Sequence, residues 1–151
     1  MQVVACMLVL RLVGCSQCEL LAISPGITAA SVDELRNTCA ALAQAGCCHL
    51  LLREPELSPS QVNALVEDLL PLYPEGLVLH EKCAGARAVA RAHGLGLHLR
   101  STPDWQAQRA EWHGRLGVSA HSVAELRLAE ELGMEWAFFS PVARPTSKPG
   151  D

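Results

Sequence analysis

Six short apolar runs, spaced about 20 to 30 residues apart, dominate this chain and limit what it can fold into. They are Leu20-Leu21-Ala22-Ile23-Ser24, Cys48-His49-Leu50-Leu51-Leu52, Leu77-Val78-Leu79, Leu95 to Leu99, Leu116-Gly117-Val118-Ser119 and Trp136-Ala137-Phe138-Phe139. An antiparallel sheet with one wet face would alternate apolar and polar residues. Near-continuous apolar runs instead imply strands covered on both faces, the signature of a parallel sheet with helical crossovers.

The intervening segments read as those crossovers. Ser31-Val32-Asp33-Glu34 has the form of a capping box, and Val32, Leu35, Cys39 and Leu42 mark one helical face before Gly46. Ser58-Pro59 reads as an N-cap with proline at the first helical position, and Val62, Leu65, Val66 and Leu69 form the face that follows, stopped by Pro71 and Pro74. An Ala-rich helix runs from Ala84 to His93 and ends at Gly94. A short polar helix is expected over 103–113. Ser122-Val123-Ala124-Glu125 is a second box, with its helix ending at Gly133. Two α/β architectures fit this ladder: a doubly wound open sheet, or a (β/α)8 TIM-type barrel with about six of its eight units present. There is no G-x-G-x-x-G and no P-loop, and Gly94-Leu95-Gly96 precedes a strand, the wrong context for a phosphate turn.

Composition narrows the function classes. With 50% hydrophobic and 19% charged residues, the 151-residue chain is built to bury a core. A net charge of −4 without a basic stripe argues against nucleic acid as a partner. Most of the seven cysteines, irregularly spaced, read as small buried hydrophobes of a reducing, cytoplasmic compartment, and the lone Cys15-x-x-Cys18 lacks the second ligand pair that a zinc site needs. Residues 1–17 read as an N-terminal extension to a domain over 18–151. Leu12-Val13-Gly14-Cys15 has the form of a lipoprotein cleavage box, but no positive charge precedes the apolar run and Arg11 interrupts it. No segment has the length to span a membrane.

In parallel α/β folds ligands sit at the carboxyl ends of the strands, and the polar residues of this chain collect there. Arg53 and Glu54 follow the second run, His80-Glu81-Lys82 the third and Arg100 the fourth. Ser119 and His121 close the fifth, and Ser147 and Lys148 lie beyond the sixth. Pooled cations, two histidines and carboxylates on one rim suit a phosphorylated small molecule and a proton transfer. Each residue has a structural reading too: Arg53 can pair with Glu54, His80-Glu81-Lys82 can be a solvated helix start, and His98, inside a strand, is expected to pack.

Three segments together resemble one family. Leu116 to Gly150 resembles a stretch in which a G-V-S-x-H strand end, a helix and a further strand lead into a G-P-V-F-x-T-x-S-K-P-G loop. His49 to Glu54 resembles a second strand ending in R-x-K or R-E, and Val78 to Leu99 an N-D-R strand end, an Ala-rich helix and a G-x-H-L strand. The pattern is that of the thiamine phosphate synthase/TenI family. The resemblance implies a (β/α)8 barrel and a place in thiamine biosynthesis. It implies phosphate contacts from Arg53, Ser119 and Lys148, with His80 on the same rim, and proton transfer by His121.

The family resembled contains Mg²⁺-dependent synthases, which join a pyrimidine pyrophosphate to a thiazole phosphate, and TenI-like tautomerases, which shift a proton within a thiazole phosphate carboxylate without a cofactor. Where the synthases carry two acids, this chain has only Glu81 as a substitute, and Arg100-Ser101-Thr102-Pro103 has no acid in register. The resemblance therefore points first to the tautomerase, with a synthase using Mg²⁺ at Glu81 as the alternative and a non-catalytic ligand-binding relative as a third reading. Strands seven and eight of the family barrel are not in the sequence. This leaves the first and last strands as expected open edges and suggests a fragment of a longer barrel, a homo-oligomer or partner chain that completes it, or a decayed, non-catalytic relative.

Overall fold

A computed structural model describes residues 5–11, 19–26 and 31–140. The element order is β1 (Ala5–Arg11), β2 (Glu19–Ile23), α1 (Val32–Gln44), β3 (His49–Leu52), α2 (Pro59–Leu69), β4 (Leu77–His80), α3 (Ala86–His93), β5 (Gly96–Leu99), α4 (Trp105–Glu111), β6 (Leu116–Ala120), α5 (Val123–Glu131) and β7 (Trp136–Phe139). All six apolar runs are strands, and β2 through β7 pair in sequence order, each parallel to the next. Five helices pack outside them, as parallel crossovers require. This is the α/β, TIM-type arrangement with six β/α-barrel strands.

The expected open edges are not there. β1 runs antiparallel to β2 over five residue pairs, from Ala5↔Ile23 to Val9↔Glu19. It also pairs antiparallel with β7 through Leu10↔Ala137 and Arg11↔Trp136. The seven strands thus form a closed barrel. Closure removes the unpaired amide and carbonyl rows that an open parallel sheet would expose. The lipoprotein-like box and the Cys15-x-x-Cys18 pair lie outside the described residues, as do Ser147 and Lys148.

Strand alternation splits the apolar residues into two sets. One set faces the helices: Leu50, Leu52, Leu77, Leu79, Leu97, Leu99, Leu116 and Val118 are all buried there, against Leu65, Val66 and Leu69 of α2 among others. Each such side chain contributes roughly 1.5–3 kcal/mol by leaving water. The other set, Leu21, Leu51, Val78, Trp136 and Phe138 with half-buried Ile23, fills the inside of the barrel.

The helix starts show which sequence signals held. Ser58 has extended backbone (φ −67°, ψ 160°), and its hydroxyl accepts from Gln61 N–H while the Gln61 amide oxygen accepts from Ser58 N–H, a complete capping box. Ser31 does not cap. Its backbone sits at φ −109°, ψ 15°, away from the extended conformation that turns an N-cap side chain toward the free amides. Ser122 is extended and accepts from Glu125 N–H at 3.1 Å, but the Glu125 carboxylate does not return to Ser122. It is used at the rim instead.

Candidate active site at the carboxyl mouth of the barrel

The inward face is set by counting in twos along each strand. On β4 that gives Val78 and His80, on β5 Gly96 and His98, on β6 Gly117 and Ser119, and on β7 Trp136 and Phe138. The paired positions Val78↔Gly96, His80↔His98, Gly117↔Trp136 and Ser119↔Phe138 run up the barrel toward its carboxyl end. Apolar residues fill the lower part, and polar ones take over at the mouth.

His98 is fully buried and sits within a chain of hydrogen bonds. The Trp136 indole Nε1–H donates to His98 Nδ1 at 3.0 Å, and His98 Nε2 lies 2.9 Å from Ser119 Oγ. The His98 ring stacks on Phe138, with centroids 4.3 Å apart, and meets His80 at 5.4 Å. Burial, with a smaller push from His80, lowers the His98 pKa to about 3, so the ring is neutral at pH 7. The packing role expected for His98 is therefore only half of what it does.

His80 is held by its own turn: Lys82 N–H donates to His80 Nδ1 at 3.0 Å, which leaves the other ring nitrogen as the N–H. Burial pushes its pKa down to about 4, and Arg53, Lys82 and Arg100 add to the push. Those three cations come from the ends of β3, β4 and β5, and they act on one neutral imidazole. Arg53, Lys82 and Arg100 therefore stand just past the carboxyl ends of three neighbouring strands. The solvated-helix-start reading of residues 80–82 fails: His80 is buried, and Lys82, though exposed, lies in a turn ahead of α3.

Arg53 is half-buried. Its N–H donates to the buried Ser24 hydroxyl at 2.8 Å, and Ser24 N–H in turn bonds Leu51 O, so the ends of β2 and β3 are locked together. The guanidinium lies over Gly26, where an added Cβ would stand 4.0 Å from Arg53 Nη1. Below it, Glu54 is fully buried and accepts from Gly26 N–H at 3.2 Å. Buried Cys83 accepts from Glu54 N–H and donates to Leu52 O, and burial raises its thiol pKa to about 11, which makes it structural and unreactive.

His121 is exposed at the end of β6. Its Nδ1 lies 2.6 Å from the Ser140 carbonyl oxygen, which can only accept, so this nitrogen carries the proton and neutral His121 keeps a lone pair on Nε2. The His121 main-chain N–H donates to Glu125 Oε2 at 2.6 Å, and Ser101 Oγ donates to Glu125 Oε1 at 3.2 Å. Glu125 is thus a positioning group that the capping-box pattern concealed. The signal was the same serine-to-glutamate spacing, shifted to a different amide.

A magnesium ion would need free carboxylate oxygens at this mouth. Glu81, the substitute proposed from the sequence, is already engaged: Oε1 accepts from Arg100 N–H at 2.8 Å and pairs with Arg100 Nε at 3.1 Å. No group of three or more His, Cys, Asp or Glu side chains able to hold a metal occurs among the described residues. The described residues thus form no all-protein cage, and a Mg²⁺ carried on substrate phosphates would meet Glu81 with its Oε1 already bound to Arg100.

Comparisons with known proteins agree with this geometry. Residues 20–151 match the model of a family described as thiamine monophosphate synthase. A thiamine-phosphate synthase from Herpetosiphon aurantiacus is 33% identical over 133 residues, covering 86% of this chain and 63% of the relative. The chain thus spans just under two thirds of that relative's length. No solved structure matches. Among the described residues, no helix is long and apolar enough to cross a membrane. The ladder of parallel strands and a family match over nearly the whole chain agree, and the chain belongs to the thiamine phosphate synthase/TenI family.

Proposed function

We propose that this chain carries the phosphate-gripping face of a thiamine phosphate synthase. The family match and the Herpetosiphon relative favour this reading over the tautomerase that the sequence put first. What supports it is the placement of Arg53, Lys82 and Arg100 just past the carboxyl ends of β3, β4 and β5, beside the buried His80 whose pKa all three lower. Arg53 and Lys82, with Arg100 shared with Glu81, would attract the phosphates of a pyrimidine pyrophosphate and a thiazole phosphate. His80 and Ser119 add neutral donors that select oxygen anions without adding charge. Lys148, outside the described residues, is proposed as a further phosphate contact from the family resemblance alone. The direct test is a coupling assay with both substrates, with and without Mg²⁺. Product formation that falls at least about tenfold in Arg53→Ala supports the reading. Saturable binding of thiazole phosphate with no coupling product rejects it in favour of a non-catalytic relative.

One observation favours the tautomerase as a second reading. His121 keeps Nε2 as an open base, oriented by Ser140 and Glu125, and a proton shift within a thiazole phosphate carboxylate needs such a group and no metal. Under this reading His121→Ala abolishes isomerisation while phosphate affinity stays within about twofold. A variant with full isomerase activity removes His121 from that role.

A further inference from the structure

The hydrogen-bond chain inside the barrel has a direction fixed by its first member. An indole N–H donates and never accepts. With Trp136 Nε1–H on His98 Nδ1 at 3.0 Å, a neutral His98 must carry its own proton on Nε2. That N–H then points at Ser119 Oγ, 2.9 Å away, and the serine oxygen accepts. The opposite arrangement, Ser119 donating to His98, would set two N–H groups against each other at the tryptophan. The Ser119 hydroxyl proton is left without an acceptor among the described residues, on a half-buried residue at the mouth.

Two glycines hold the indole where this works. Gly117 stands two residues before Ser119 on β6, and Gly96 two before His98 on β5, each one layer down on the same inward face. A Cβ at Gly117 would lie 2.0 Å from Trp136 Nε1 and Cε2, and one at Gly96 would lie 3.0 Å from its ring. The Gly-Leu-His and Gly-Val-Ser runs therefore read as one device: a notch for the tryptophan below, and the polar group it controls above.

We propose that Trp136 is a positioning residue: its indole N–H holds His98 in the Nε2–H form, which donates to Ser119 and reserves the Ser119 hydroxyl proton for an anionic oxygen at the barrel mouth. The ligand end of this chain rests on the phosphate-face reading, whereas the tautomer does not. Burial and the neighbouring His80 ring keep His98 neutral, so the relay persists through the physiological pH range.

The test is long-range ¹H–¹⁵N correlation spectroscopy of the full chain labelled with [¹⁵N]histidine at pH 7, with thiazole phosphate titrations alongside. Wild-type His98 should show the Nε2–H pattern. Trp136→Phe keeps a ring in the notch but removes the donor. It should shift His98 to Nδ1–H or to a mixture, and weaken thiazole phosphate binding about tenfold. Ser119→Ala should weaken binding by a similar factor, and the double variant no further, because both act through one proton. An Nδ1–H pattern in the wild type overturns the proposal even if Trp136→Phe fails to fold. So does an unchanged His98 pattern in a folded Trp136→Phe. Should the wild type not bind thiazole phosphate, the phosphate-face reading falls, and the wild-type tautomer still decides whether Trp136 sets the relay.

Discussion

The inside of this barrel is two environments stacked on the same strands. In the lower half Leu21, Leu51, Val78 and the Trp136 ring form an apolar plug, with glycines at 96 and 117 making room for the indole. In the upper half, two residues further along, the inward positions are Arg53, His80, His98 and Ser119, with Phe138 stacked on His98. The backbone alternation is the same in both, so the side chains alone turn a core into a site. The lower half contributes free energy through burial. The upper half keeps buried polar atoms only because each is partnered, and no buried side-chain nitrogen or oxygen among the described residues is left without a hydrogen bond. Truncating the plug should therefore cost stability first, and truncating the rim cations should cost ligand affinity first.

The largest test of that division is Trp136→Ala. Emptying the plug should cost about 3–5 kcal/mol in urea denaturation, because the two glycines cannot expand to fill the space. A loss under about 1 kcal/mol would mean that the lower half is not a packed core.

Acid should break the upper half next. The folded-state pKa values of His80 and His98 are about 4 and about 3, below the ordinary 6.5. Between those values and 6.5 the unfolded chain holds more protons than the folded one, so stability falls as pH falls. The melting temperature should drop by at least about 5 °C between pH 7 and pH 4.5, and the drop should be shallower in His98→Gln. A flat profile, or an equal drop in the variant, contradicts the neutral, buried histidine.

Arg53→Ala should show the reverse balance: thiazole phosphate or pyrophosphate affinity lower by about tenfold or more, with stability changed by about 1 kcal/mol or less. The smallest effect sharpens the view of the rim. Ser122→Ala removes a cap next to His121 and should cost about 1 kcal/mol, whereas Ser31→Ala, which removes no cap bond, should cost only a few tenths. Equal losses in the two melts would undo the distinction drawn from their backbones.

These two halves were not equally legible in the sequence. The strands and helices were, because Leu-rich runs and i, i+3, i+4 faces are local patterns that burial enforces. Arg53, His80, Ser119 and His121 could be placed at the mouth because each lies at or just past the end of an apolar run. The closing strand β1 could not be read, since its pairing depends on register with β2 and with β7, far away in the chain. His98 looked like a packing residue because its partners Trp136 and Ser119 are 38 and 21 positions away. Glu125 was hidden by a pattern that fits a capping box and is satisfied by another amide.

The central claim is that the cations at the carboxyl mouth grip phosphate. Isothermal titration of thiazole phosphate into the wild type, Arg53→Ala and Arg91→Ala tests it most directly. Arg91 lies over Trp112 on the outer layer, away from the mouth, and serves as a charge-matched control. The account predicts saturable binding that weakens with salt, is at least about tenfold weaker in Arg53→Ala and is unchanged in Arg91→Ala. Equal binding by Arg53→Ala and the wild type would contradict it.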